Sequence, residues 1–446
     1  MKNLTKVFLA AGLFIAAAGF ILSSCTKEGP AGAAGANGKD AAETCKQCHA
    51  AAVVDAIAVE FELSKHSWGE AAFEEAGNPS CDPCHTQLGF HYIVDNNIPS
   101  TFTFTDGLWV NDYSAVYSAS IGEISCFTCH SKLHTTYGTA DLALATTAPV
   151  SMTMWGGASD KTINLTQDSS RSNLCVKCHQ PRPRTAYRNS NTPALSYDNS
   201  ARLINYDSLR DVPLFVQYDT TPGAHNTGIR PSYRMDVHYG VVGAVFAGMG
   251  AIEYPGSQPY TSSPHTTLAS CQDCHMAEPM YGIAGGHSFN MRNAKESALS
   301  GTTNWNFAGC NVTGCHAAAP LNKDAPKFKN TRSEIKGLLD ELAAKINEAG
   351  GGHDLLHVDA SSTNLWWGIS TNNYDGYLDI FDASANPSGY WKVTSAPKFP
   401  SLLNVQVGAI FNFQFCLREY SLGIHNTQYV RAILTNTVEA MNAAGL

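Results

Sequence analysis

Five times along the chain, two cysteines stand three positions apart with a histidine directly after the second. The groups are Cys45, Cys48 and His49; Cys81, Cys84 and His85; Cys126, Cys129 and His130; Cys175, Cys178 and His179; and Cys271, Cys274 and His275. A sixth group, Cys310, Cys315 and His316, keeps that order with four residues between its cysteines. Two thiols spaced by one turn of backbone can add to the two vinyl groups on one edge of a porphyrin. The next residue then lies under the ring and offers an imidazole nitrogen to the iron. Cys-x-x-Cys-His is the attachment motif of c-type haem, so six haems c are expected, five on this spacing and one on the wider one. Covalent attachment holds such a group without a deep apolar pocket.

Other chemistries use parts of this pattern. A lone Cys-x-x-Cys suits a redox dithiol or half of a zinc site, and Cys310 and Cys315 could instead close a structural disulfide. Zinc sites do not require a histidine after every second cysteine, and a disulfide framework belongs to small secreted domains. Twelve of the 14 cysteines fall in the six groups, leaving Cys25 and Cys416. By these motifs the chain resembles the multihaem c-type cytochromes; the wide sixth spacing is similar to one found in some tetrahaem members. With roughly 70 residues per motif, no haem can own a domain and neighbouring rings must approach closely.

Ten further histidines remain: His66, His91, His134, His225, His238, His265, His287, His353, His357 and His425. Haem iron in electron carriers takes a second strong ligand, His or Met. His66 stands 15 residues before the second motif, and His134 follows His130 too closely to serve the same iron but could serve a neighbour. The segment from His238 to Met291 resembles a stretch of octahaem and related multihaem cytochromes. His-x-Gly, Ser-x-His, Cys-His-Met and Gly-Gly-His recur there, here as His238-Tyr239-Gly240, Ser263-Pro264-His265, His275-Met276 and Gly285-Gly286-His287. The resemblance implies distal ligation by His238, His265 and His287. Ser421 to Asn426 resembles the start of the final distal-ligand helix in those proteins, which implies the same role for His425. With His66 and His134 the set numbers six, one per iron; His91 is held in reserve. His225, His353 and His357 are expected in solvent or in hydrogen bonds. The resemblance covers about residues 44–320 and 420–445.

The elements that must position these residues are less plain in the sequence. Met1–Lys6 carries Lys2 and Lys6 ahead of the apolar run Val7–Leu22, a secretory signal pattern. Leu22-Ser23-Ser24-Cys25 resembles a bacterial lipobox, which implies lipidation of Cys25 after removal of residues 1–24. The uncleaved alternative, a membrane anchor, would be short for spanning. Four Gly-X-Y triplets from Gly29 to Asp40 are too few for a triple helix and read as a flexible spacer, so 25–43 forms a lipid-linked tether. A haem-binding region is expected over 44–325. Starts of successive motifs are 36, 45, 49, 96 and 39 residues apart, which is no tandem repeat.

A C-terminal helical region is expected over 326–446. Thr331 to Glu334 fits a capping box, and Ile335, Leu338, Leu339, Leu342 and Ile346 recur at helical spacing, so a helix is predicted over 332–348. Tyr429, Val430, Ile433, Leu434, Val438 and Met441 share one face of a second. Residues 358–415, with Trp366-Trp367, Tyr374, Tyr377 and Tyr390-Trp391, are compatible with a small hairpin insertion, and Cys416 with a buried thiol. The expected fold class is mainly irregular chain with α-helices, low in regular structure, with haem packing replacing much of an ordinary core.

Charged residues make up only 15% of the 446, and the net charge is −9 with Lys and Arg scattered. That excludes a nucleic-acid surface. Apolar content of 44% excludes full disorder. Two functions fit the motifs. If every iron has two protein ligands, the chain carries electrons. It would then be an exported, membrane-anchored lipoprotein at the periplasmic face or outer cell surface, serving partner cytochromes or extracellular acceptors such as metal oxides, with self-association into filaments as a further expectation from the resemblance to outer-surface cytochromes. If one iron keeps an open position, the chain is a reductase of nitrite, hydroxylamine or a sulfur oxyanion. The Cys-x-x-Cys-Lys motif that marks the open haem of pentahaem nitrite reductases does not occur. The count of histidines favours the carrier, with no catalytic residue assigned.

Overall fold

The computed structural model describes residues 51–67, 81–99, 102–105, 108–111, 122–136, 139–152, 161–181, 209–210, 237–280, 283–292, 305–348, 355–358, 374–379 and 402–446. The motif at Cys45, Cys48 and His49, the signal and spacer with Cys25, His225 and His353 lie outside them. The chain divides into two units, Met1–Val54 and Asp55–Leu446. All the described elements belong to the second, apart from the first turn of α1.

The fold is mixed, with helices predominating and few strands. In chain order the helices are α1 (Ala51–Glu62), α2 (Asp82–His85), α3 (Gln87–Asp95), α4 (Cys126–Cys129), α5 (Ser172–Val176), α6 (Val242–Ala247), α7 (His265–Leu268), α8 (Cys271–His275), α9 (Pro326–Glu348), α10 (Asn404–Leu417) and α11 (Thr427–Ala443). The strands are β1 (Phe102–Thr105), β2 (Leu108–Asn111), β3 (Val150–Met152), β4 (Lys161–Ile163), β5 (Leu356–Val358) and β6 (Tyr374–Leu378). They pair as three separate antiparallel ribbons, β1 with β2, β3 with β4 and β5 with β6. Only Asp106 and Gly107 separate β1 from β2, and an Asp-Gly pair between alternating apolar residues is a strong hairpin signal. Sequence reasoning passed over it.

The long helices lie in the C-terminal part and pack on one another, α9 and α10 each against α11 and α9 against α10. The helix predicted over 332–348 starts earlier, at Pro326, so the expected capping box is not its beginning. Thr331 sits inside the helix with its hydroxyl donating to the Lys327 carbonyl at 2.8 Å, and Pro326 opens the helix because its missing N–H would have had no partner there. On α11 the six residues expected on one face are all buried. Asn426 caps this helix, accepting from the Tyr429 N–H at 3.4 Å.

The end of the stretch expected to hold a hairpin insertion, 358–415, is helical and lies in α10. Val405, Val407, Phe411, Phe413 and Phe415 alternate along the chain as a strand would, yet they lie on a helix whose fourteen residues are all buried. A helix covered on every side loses the apolar stripe that reveals helices in sequence, and Cys416 lies at its end, buried as expected. Together with Val150, Met152, Ile163, Val176, Val241 and Val245, these helices form one apolar core. An ordinary apolar core therefore exists beside the Cys-x-x-Cys-His motifs.

Buried asparagines stitch that core to the segment from 245 to 263. Asn412 accepts from the Ile252 N–H at 2.9 Å and donates to the Ile252 carbonyl at 2.8 Å. Asn426 accepts from the Ser263 N–H at 2.9 Å and donates to the Val245 carbonyl at 3.1 Å. Neither side chain touches water, so each satisfies groups that would otherwise cost free energy.

Candidate metal centre

Each described Cys-x-x-Cys-His group is about one turn of helix, and the local sequence explains why. Ser125 and Ser270 stand just before α4 and α8 and cap them. Ser270 Oγ accepts from the Asp273 N–H at 3.1 Å, and the Asp273 carboxylate accepts from the Ser270 N–H at 2.8 Å. A capped turn puts residues three apart on the same side, which brings both thiols to one edge. The histidine amide then closes the turn on the first cysteine: His85 N–H donates to the Cys81 carbonyl at 3.1 Å, His130 to Cys126 at 2.9 Å and His179 to Cys175 at 2.9 Å. In the sixth group His316 N–H donates to the Cys310 carbonyl at 3.0 Å. The two extra residues therefore bulge out while the histidine returns to the same first-cysteine carbonyl. Among the described residues no cysteine is in a disulfide, so Cys310 and Cys315 are not bridged to each other.

The histidines meet in pairs. Ring centroids of His66 and His179 are 5.9 Å apart, His85 and His238 6.2 Å, His265 and His316 6.2 Å, and His275 and His425 6.1 Å. The first three pairs cross at 83°, 73° and 76°, whereas the last is nearly parallel at 18°. His287 lies close enough to His130 for a charge on one to oppose a charge on the other. A metal–imidazole bond is about 2 Å and the ring centre lies roughly 1 Å beyond the nitrogen, so two rings on opposite faces of one iron have centroids about 6 Å apart. Aromatic rings in direct contact also span about 4.5–7 Å, so distance alone does not separate the cases. All four ring pairs join one motif histidine to one outside every motif, with partners from 51 to 153 positions distant in sequence.

No family model, curated protein or solved structure matches this chain.

Among the described residues no three His, Cys, Asp or Glu side chains gather as a metal site built wholly from side chains would need. Haem iron asks less of the chain, since the porphyrin supplies four bonds and the protein one or two. The paired rings fit that demand. Burial also favours the neutral form, the one that binds metal, at three of them: His179 is pushed down to about 3 and His275 to about 4, and His66 is lowered as well.

Other histidines stand apart from these pairs. His134 has a positive φ of 63° and its ring lies 6.3 Å from Phe127; the first motif, at Cys45, Cys48 and His49, is outside the described residues. His91 presents Nε2 to the Phe127 carbonyl at 2.8 Å. His357 lies on β5.

Several features around the pairs escaped sequence reasoning. The glycines of the His-x-Gly and Gly-Gly-His segments are spacers: Gly240 has φ +70° and a Cβ there would meet the His179 ring, while one on Gly286, φ +52°, would run into the Glu60 carboxylate. The same Glu60 accepts from the His287 N–H at 2.9 Å. Glu419 is wholly buried and its Oε2 lies 2.7 Å from His425 Nδ1. No sequence signal marks either carboxylate, because nothing in spacing distinguishes a buried Glu from a solvated one.

The motifs themselves converge. Cys175 hydrogen-bonds Cys271, and Cys178 hydrogen-bonds Cys84, each of which raises the thiol of the fourth motif well above its ordinary range, burial adding to it. Cys84 also reaches the Lys177 carbonyl at 3.7 Å, and the Cys271 N–H donates to Ser172 Oγ on α5 at 3.1 Å. A Cβ on Gly309, just before the sixth motif, would strike the Asp273 carbonyl in the fifth. The fourth motif thus stands between the second and the fifth, and the fifth between the fourth and the sixth.

Proposed function

We propose that the chain is a multihaem c-type cytochrome whose irons are held by two histidines each, and that it carries electrons as an exported lipoprotein anchored through Cys25. The observation that carries the reading is the pairing of His66, His238, His265 and His425 with one motif histidine apiece at close to 6 Å. The cysteines Cys81, Cys84, Cys126, Cys129, Cys175, Cys178, Cys271, Cys274, Cys310 and Cys315 would hold the groups covalently, as would Cys45 and Cys48. His130 with His287 makes a fifth pair, and His134 is left for His49.

When bound, the haems would supply one-electron redox chemistry. The chain's own residues hold and separate them. Motifs in side-chain contact set short gaps, α5 and α8 being tied directly through Ser172. Two strong ligands at each iron leave no place for a substrate. Apolar side chains left exposed beside the pairs support the reading too: Leu142 is 51% and Phe127 42% exposed near His130, and Leu268 67% and Val312 45% near His265 and His316, surface that a porphyrin would cover. Among the described residues no helix is long and apolar enough to cross a membrane; anchorage is assigned to the lipid. Donor and acceptor are proposed to be other redox proteins or extracellular acceptors.

Haem content of the purified protein tests this directly. Intact mass and a pyridine haemochrome assay should give six covalent haems per chain, and Cys310→Ala with Cys315→Ala should leave five. A colourless protein that instead binds zinc would overturn it.

A further inference from the structure

The Nδ1 atom of a ligating imidazole faces away from the metal, and its partner sets the ring's orientation and its strength as a donor. Three of the paired histidines offer that atom to a neutral backbone carbonyl: His130 to Leu142 at 3.0 Å, His265 to Ile424 at 3.0 Å and His275 to Phe289 at 2.8 Å. His287 has Nδ1 4.0 Å from Glu60 Oε2, too far for a hydrogen bond. His425 differs from all of these, because its Nδ1 sits 2.7 Å from the carboxylate of Glu419.

That carboxylate is a built feature. Glu419 has no exposed surface, and it is fixed by the Gly423 N–H on Oε1 at 2.7 Å and the Ser421 hydroxyl on Oε2 at 2.6 Å. Gly423 can make this turn because its φ is +83°. Three donors thus converge on a carboxylate that has no contact with solvent: Gly423 N–H, the Ser421 hydroxyl and His425 Nδ1. Arg332 lies within electrostatic reach on α9. The same site holds the near-parallel pair, His275 and His425 at 18°, where the three others cross at 73° or more.

We infer that Glu419 is a positioning residue for His425: by accepting its Nδ1–H it fixes the ring parallel to His275 and gives it imidazolate character, lowering the reduction potential of the iron held between them. A carboxylate in a dry site pulls the Nδ1 proton far more than a carbonyl does. The richer Nε2 lone pair then favours the more positively charged, oxidised metal. The inference rests on the proposed ligation by His425. At the centre on Cys271 and Cys274, next to the junction at the fourth motif, an electron would then leave more readily than it would without Glu419.

The test is a redox titration of the full-length holoprotein followed by low-temperature electron paramagnetic resonance. A parallel imidazole pair lifts the near-degeneracy of the iron dxz and dyz orbitals and gives a rhombic low-spin signal, whereas crossed pairs leave the orbitals close and give a signal of large maximum g. Of the four pairs whose ring angles are given, only this one would produce the rhombic signal, and its response to substitution at Glu419 assigns it. Glu419→Gln should raise the potential at which that signal disappears and alter its g values, leaving the crossed-pair signals in place. Ser421→Ala removes a competing donor from the oxygen that faces His425, so it should move the potential the opposite way; it also carries the test if the Gln variant does not fold. Six haems retained with neither potential moved would overturn the inference while leaving the carrier reading intact. An absence of covalent haem in the parent protein would overturn both.

Discussion

Imidazoles brought to one iron must arrive neutral, mutually oriented and from parts of the chain that can reach opposite faces of a ring. His66 and His179 meet these conditions through burial, which lowers both, and through Phe289, whose ring meets His66 edge-on at 5.0 Å. His66→Ala should therefore open one iron among six, adding a high-spin ferric signal and cyanide binding that the parent lacks; an unchanged spectrum would remove His66 from the ligand set. His425→Met should raise one potential and leave the others, since a thioether is the weaker donor to oxidised iron. A titration curve identical to the parent's would reject the assignment. The six Cys and His groups were legible in the sequence because their members are neighbours in the chain. Which remote histidine lies beside each motif histidine was not, because the partners come from distant segments and only the fold pairs them. Glu419 was wholly illegible: six residues before His425, it resembles any other glutamate until burial and the turn at Gly423 aim it.

Helices α9, α10 and α11 carry the apolar burial, and polar side chains tie them to the motifs. Asn426 caps α11 while satisfying the Ser263 N–H two residues before His265. Asn426→Ala should cost about 2–3 kcal/mol, a lost cap plus buried groups left without partners, read as a lowered denaturation midpoint. A loss near zero would mean water replaces the side chain. The α9–α11 contact has an exposed ion pair, Arg431 Nε to Glu334 Oε1 at 2.5 Å and Nη2 to Oε2 at 3.0 Å. The hydrogen bond and charge of Arg431 hold the Glu334 carboxyl below its ordinary value. A depressed carboxyl stabilises above its unfolded pKa and loses that contribution as pH falls through the folded one. Glu334→Gln should thus cost less than about 1 kcal/mol at neutral pH, and the difference should vanish below about pH 4 and shrink in high salt; a pH-independent cost would assign the contact to packing instead. The amphipathic helices α9 and α11 were legible from their apolar spacing. Helix α10 was not, since complete burial erased its periodicity and its alternating Phe and Val mimic a strand.

Across the molecule, motifs far apart in sequence converge into a connected set, with the fourth touching the second through Cys178 and Cys84 and the fifth through Cys175 and Cys271. In the proposed carrier, such contact would give the electron route an order that motif spacing along the chain does not contain. The 14 cysteines of the sequence thus sort into twelve proposed attachment sites, one lipid site proposed at Cys25 and the buried Cys416, whose thiol burial pushes well above its ordinary range. The route also requires that no iron be left open. Low-temperature electron paramagnetic resonance of the fully oxidised protein decides this most directly. It should show low-spin iron only, with large-maximum-g signals from the three crossed pairs and a rhombic signal from His275 with His425. A high-spin ferric signal in the untreated parent protein, or tight cyanide binding, would contradict the account and make one centre a site of catalysis.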